Sequence, residues 1–262
     1  MVTMQTMAEA PCGVQGTAQA PAQTAAAMAV AVPPPHPAPP ALAIPAGVEA
    51  MYEDEHLLVL HKPAGLLCVP GRGEDKQDCL SARAQQRWPG ALIVHRLDQA
   101  TSGLVLMARS LAVQRLLSEA FATRQVQKRY VAVVQGALGQ PQPQCLPESP
   151  WQLIDLPIAA DWERRPLRVV DATTGKPSQT HWRAVGYDSA QHTTRVELEP
   201  LTGRTHQLRV HLSALGHPIV GDTLYAPPPH HAGQRLLLHA RELGFTHPVD
   251  ATWCHVVAAE DF

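Results

Sequence analysis

The sequence predicts an α+β fold on a mixed, mainly antiparallel sheet flanked by helices. Strand candidates arrive in runs, and regular strand–helix–strand alternation is scarce, which disfavours a doubly wound parallel sheet. The 262 residues suffice for one large domain or two small ones, either able to bury a core. A change of texture near Met51 separates a biased leading segment from the part that folds.

Residues 1–46 are rich in Ala, Pro and Gln and carry the run Pro33-Pro34-Pro35-His36-Pro37-Ala38-Pro39-Pro40. Proline pins φ and donates no hydrogen bond, so the run favours extended, solvated polyproline II. A disordered tail over 1–46 and a domain over 47–262 are expected; a ligand for a proline-binding module is the other reading of the tail.

Leu57-Leu58-Val59-Leu60 reads as a buried strand, ended by the turn Lys62-Pro63-Ala64-Gly65. Asp78 to Trp88 reads as a helix stopped by Pro89-Gly90. Leu104 to Ala108 is a second buried strand. Ser110 then caps a helix through Arg124, with Leu111, Leu116, Leu117 and Phe121 on one face. Tyr130 to Val134 is a strand, followed by a long Pro- and Gly-rich loop over 135–150. Strands are expected again at Leu167–Val170, Gln179–Tyr187 and Thr194–Leu198, then a short helix from Thr205 to Leu215 ended by Gly216. A loop at Pro227–His231 precedes a strand at Leu236–Leu238.

Charge narrows the function classes. All 21 Lys and Arg residues lie at or after Lys62, whereas five of the 23 acids precede it, so the remainder carries a net +3. Weak basicity suits a polyanion without demanding one. The early cations that a secretory or transit signal needs are missing, and no run of about 20 apolar residues offers a membrane span. Cys12, Cys68, Cys79, Cys145 and Cys254 are odd in number and form no C-x-x-C pair, which disfavours a disulfide framework or structural zinc. A soluble, cytoplasmic protein is expected. Phosphate-cradling, dinucleotide-binding, zinc-protease and nucleophile-elbow motifs are all missing. The 14 histidines lack convergent spacing: His206 and His211, five apart, fall on different helix faces.

Three polar groups interrupt otherwise apolar segments. His95-Arg96-Leu97-Asp98-Gln99-Ala100-Thr101-Ser102-Gly103 opens a buried strand, where Asp98 is either a working carboxylate held by backbone N–H groups or a turn cap. Thr202-Gly203-Arg204-Thr205-His206-Gln207-Leu208-Arg209-Val210-His211 sets two Arg and two His on a half-apolar helix. They meet a phosphate or carboxylate, or form a solvated face with satisfied core histidines. Lys128-Arg129-Tyr130 joins two cations to an aromatic, as nucleotide grooves do and as ordinary sheets also do.

Taken in order, these stretches resemble the RluA-type RNA pseudouridine synthases, from about Tyr52 to Phe262. His95-Arg96-Leu97-Asp98 with Thr101-Ser102-Gly103 carries most of the likeness, with Gly203–His211, Gly216–Asp222 and His61-Lys62-Pro63-Ala64-Gly65 in support. Within that family the chain is similar to the dual-specificity type, on Leu67–Arg72, Asp155–Ile158, Asp161-Trp162 with Arg165-Pro166, and Thr174–Pro177.

The resemblance implies a single catalytic domain that isomerises uridine to pseudouridine in structured RNA. The implied targets are uridine 746 of 23S ribosomal RNA and uridine 32 of the tRNA anticodon loop. Another ribosomal or transfer RNA uridine is the alternative within the class, and a catalytically silent RNA-binding protein the alternative outside it. It also implies a monomer with no membrane contact and, because the product is an isomer, no redox cofactor, ATP or metal. Residue by residue, the essential carboxylate falls on Asp98, its pairing cation on Arg209 and the base-stacking aromatic on Tyr130. Arg96, Thr101, Arg204, His206, Lys128 and Arg129 are the expected RNA- or base-binding side chains, with Arg96 filling the space that the base leaves.

Overall fold

The computed structural model describes residues 47–139, 150–227 and 235–262. The expected tail at 1–46, most of the loop at 135–150 and most of that at Pro227–His231 lie outside the described residues.

Alternating apolar side chains explain the central strands. In β2 (Leu57–Lys62), Leu57 and Val59 face one core layer while Leu58 and Leu60 face another. In β4 (Ser102–Ala108), Leu104 and Leu106 join the first layer, Val105 and Met107 the second. Both faces are therefore covered, which is why these strands read as continuous apolar runs. The helix α1 (Leu80–Arg87) closes one side through Leu80 and Ala84. On the other side lies α2 (Leu111–Ala122), capped by Ser110, whose Oγ accepts the Val113 amide at 3.3 Å.

The remaining strands are β1 (Glu49–Glu53), β3 (Leu92–Ile93), β5 (Gln127–Gln135), β6 (Gln152–Asp155), β7 (Ile158–Ala160), β8 (Arg168–Val170), β9 (Gln179–Asp188), β10 (Thr193–Pro200), β11 (Leu238–Thr246) and β12 (Trp253–Val257). Ten strands form one sheet in the order β1-β2-β4-β11-β5-β10-β9-β6, with β3 beside β4 and β12 beside β11. Among the described strands only the β4–β11 pair is parallel; β7 and β8 form a separate hairpin. A mixed, mainly antiparallel α+β sheet is thus what forms. The third helix, α3 (Gln207–Ala214), packs Leu208 and Leu212 onto the β5–β10–β9 half.

Four expectations need correction. The buried face of α2 is Val113 and Leu117, with Ala120 and Phe121 beside them; Leu111 and Leu116 are exposed. The third helix starts at Gln207 rather than Thr205, because His206 has φ 58°, outside the right-handed helical region. The last predicted strand starts at Leu238 and runs on to Thr246, through polar residues that broke the apolar pattern. Finally, β1, β3, β6, β7 and β12 were not expected as strands.

Gly103 shows how tightly the parallel crossing is built. It pairs with Ala240 of β11 at φ 113°, and a Cβ there would stand 2.3 Å from the Ala240 carbonyl oxygen. Only glycine fits such an approach.

Candidate active site

The loop from β3 to β4 presents Asp98 at the mouth of the central sheet. Its turn is closed by the backbone, the Thr101 amide donating to the Asp98 carbonyl at 3.1 Å. Contrary to one expectation, the carboxylate is not held by backbone N–H groups: it makes no hydrogen bond or ion pair with a described residue. Asp98 is half-buried and free to meet a ligand.

Two neighbours fix the loop from behind. Lys62, fully buried, donates to the carbonyls of Pro63, Leu66 and Gln99 at 2.9, 2.8 and 3.1 Å, tying the Lys62-Pro63-Ala64-Gly65 turn to the residue after Asp98. Burial lowers its pKa to about 8 against the opposing pull of Cys68 and Asp98. His95 accepts the Leu106 amide through Nε2 at 2.9 Å and stacks on Phe121. Burial, with Lys128 second, lowers its pKa to about 3, so the ring is a neutral acceptor.

A cavity of about 470 Å³ opens beside Asp98. Its walls include Arg96, Thr101, Lys128, Tyr130, Arg204, His206 and Arg209, which were separate in sequence. Lys128 and Tyr130 reach it from the same face of β5 because strand side chains alternate. Burial, followed by the charge of Asp98, raises the Tyr130 pKa, so the phenol stays protonated. A second cavity of about 530 Å³ shares Arg96, Leu97, Asp98, His206 and Arg209, so Asp98 stands between two openings.

The cavity is cationic. Asp98 is the sole acid among the described lining residues, against Arg96, Arg124, Lys128, Arg204 and Arg209. The first four have no carboxylate partner among the described residues. Burial, and after it the nearby positive charge of Arg124, depress the Lys128 pKa.

Two assignments change. Arg209 does not pair with Asp98; its fork is taken by Asp222, with Nε and Nη2 at 2.8 and 2.6 Å from the two carboxylate oxygens. The pair is almost fully buried. Burial opposes the Arg209 charge, but the Asp222 bond and then the Asp98 field outweigh it, and the pKa is raised. Arg129, between Lys128 and Tyr130, falls on the opposite face of β5. It bonds Glu199, lies 3.9 Å from Glu242 and sits over Trp151, bordering a separate groove.

Sequence reasoning missed three contributors. Asp222 lay inside a quoted motif but without a role; Arg124, just past the end of α2, gave no signal beyond its charge. Tyr225 bonds His206 Nδ1 at 2.7 Å and accepts the Arg168 amide at 2.9 Å. Gln207 organises the loop before α3: its amide oxygen accepts from Thr202 and the Arg204 amide, and its nitrogen donates to Gln179 and Thr180. His211 is a core residue between Thr180 and the Leu156 carbonyl.

Comparison with known proteins places this geometry in context. A family model described as RNA pseudouridylate synthase matches residues 56–214. The dual-specificity RNA pseudouridine synthase RluA of Escherichia coli K12 is 46% identical over 213 residues, covering 81% of this chain and 93% of that protein. Its namesake from Yersinia pestis is 44% identical over 213 residues, covering 81% and 98%. Among solved structures, human RNA pseudouridylate synthase domain containing 1 superposes with a TM-score of 0.66 at 30% identity, over 83% of this chain and 85% of that one.

Proposed function

The chain belongs to the RNA pseudouridylate synthase family, and from that premise we propose that it is a dual-specificity enzyme of ribosomal and transfer RNA. Its proposed targets are uridine 746 of 23S ribosomal RNA and uridine 32 of the tRNA anticodon loop. The observation that carries the reading is the unpaired carboxylate of Asp98 in a cavity that also presents Arg96, Arg124, Lys128 and Arg204, none with a carboxylate partner among the described residues. Cations attract and position a polyanion, while a carboxylate in their midst weakens that attraction and is retained for chemistry. A silent RNA-binding protein has no use for it.

The reaction breaks the N1–C1′ bond of uridine and joins C5 to C1′. C5 loses its proton and N1 gains one, so atoms and electrons balance without an added reagent. Asp98 acts as nucleophile or as base toward the sugar. Tyr130, protonated and set between two core layers, stacks on the extruded base, a contact worth roughly 1–3 kcal/mol. That offsets the few kcal/mol of taking a base out of its loop. Arg209, held by Asp222, presents positive charge to the cavity that Asp98 lines. Arg96, exposed at the cavity edge, occupies the space the base leaves. Thr101, Lys128, Arg204 and His206 hold base and phosphates.

We take it to act as a monomer; no helix among the described residues is long and apolar enough to cross a membrane. A cytoplasmic site of action follows from the proposed substrates. The test is pseudouridine mapping of cellular RNA with and without this protein. Loss of both proposed modifications on deletion supports the reading. Loss of a different ribosomal or transfer RNA site reassigns the target.

A further inference from the structure

Trp162 is the most exposed large apolar side chain among the described residues, at 70%. It sits at the tip of the β7–β8 hairpin, in Asp161-Trp162-Glu163-Arg164-Arg165-Pro166. The tip is braced. Asp161 accepts the Arg164 amide at 3.0 Å and its Nε at 2.8 Å, and the Leu167 amide donates to the Arg164 carbonyl at 3.0 Å. The Arg165 guanidinium carbon lies 4.0 Å from the centroid of the Trp162 ring. One ring face thus carries a cation, and the rest of the ring is open to water.

The hairpin runs directly into the cavity walls. Pro166 lines the second cavity together with Asp98, His206 and Arg209. The Arg168 amide donates to the Tyr225 hydroxyl, whose own proton is then available to His206 Nδ1. Through β8 the hairpin also packs on α3, the helix carrying Arg209.

We propose that Trp162 and Arg165 form a stacking platform for an unpaired base of the substrate RNA that flanks the target uridine. The inference rests on the RNA reading above and deepens it: the platform helps to choose which loops are modified. An aromatic ring backed by an arginine is the arrangement that binds single-stranded bases, because every base offers a π face and the cation answers the phosphates. The neighbouring Arg168 adds positive charge at the same place, while Arg164 is taken up by Asp161.

The test introduces Trp162→Ala and Trp162→Phe into the full-length Asp98→Asn protein, so that binding is read without turnover. Dissociation constants are measured for a tRNA anticodon stem-loop and a 23S ribosomal RNA hairpin, each also made with single abasic replacements beside the target. Trp162→Ala should weaken binding about 5- to 150-fold, the range of one base–aromatic stack, with unchanged melting temperature. Trp162→Phe should retain most of the affinity. One abasic replacement should cost the parent protein the same factor and Trp162→Ala nothing more. Equal affinities for Trp162→Ala and its parent overturn the platform. A concentration-dependent mass that is lost in Trp162→Ala also overturns it, putting a second copy of the chain there. Conversion of the target by the unsubstituted enzyme is scored apart. Conversion with Trp162-independent binding removes the platform alone; Trp162-dependent binding without conversion removes the target assignment alone.

Discussion

Replacing Asp222 by Ala should destabilise the protein and disable it together. Asp222 is fully buried and Arg209 is 4% exposed, and two bonds of 2.8 and 2.6 Å join them. The same carboxylate also accepts the Leu224 and Tyr225 amides at 2.9 and 3.0 Å. Removing it strands a buried guanidinium and loosens the turn that carries Tyr225. Breaking a buried pair from one side costs about 3–5 kcal/mol. In a domain of this size each kcal/mol lowers Tm by about 2–4 °C, so Asp222→Ala should melt about 6–20 °C lower by calorimetry. Turnover should fall too, because Arg209 would no longer be aimed at the cavity. A double variant, Arg209→Met with Asp222→Leu, should recover much of the stability but no activity. An Asp222→Ala protein that melts within about 2 °C of the original and turns over normally would refute this reasoning. Restored activity in the double variant would show that Arg209 serves only the fold.

Three further outcomes follow from single features. Gly103→Ala should lower the urea midpoint at unchanged slope, since positive φ alone costs about 1–3 kcal/mol before the clash with Ala240 is counted; an unaltered midpoint contradicts the close crossing. Stability should fall on acidification below pH 6.5, because burial lowers His95 to about 3 and His239 to about 4 while the unfolded chain takes up protons near 6.5. Each contributes about 2 kcal/mol of loss by pH 5, and His95→Gln should flatten the profile; a Tm that rises from pH 7 to 5 contradicts the burial argument. Exhaustive EDTA should leave the rate unchanged, because a redox-neutral isomerisation needs only the carboxylate; loss of activity restored by one particular metal would show otherwise.

Legibility from sequence followed burial. Strands covered on both faces, such as β2 and β4, stand out as apolar runs, whereas β1 and β12 are largely exposed and lack that pattern. The strand β11 hid because Arg241, Glu242 and Gly244 interrupt it. In the site, residues close in sequence to Asp98 or on α3 were visible because polar groups stood out in apolar segments. The misplacement of Arg129 came from treating Lys128-Arg129-Tyr130 as a unit, although alternation sends its middle member to the Glu199 and Glu242 side. Asp222 and Tyr225 escaped because their partners lie 13 and 19 residues away, and only the folded chain brings them together.

The most direct measurement compares the purified protein with its Asp98→Asn variant on a tRNA anticodon stem-loop and a 23S ribosomal RNA hairpin, with pseudouridine read by mass spectrometry after nuclease digestion. Asn keeps the size and the backbone turn, in which the Asp98 carbonyl holds the Thr101 amide, and removes only the charge. The account predicts conversion by the original protein, none by Asp98→Asn, and RNA binding by both. Pseudouridine made at an undiminished rate by a well-folded Asp98→Asn protein would contradict it.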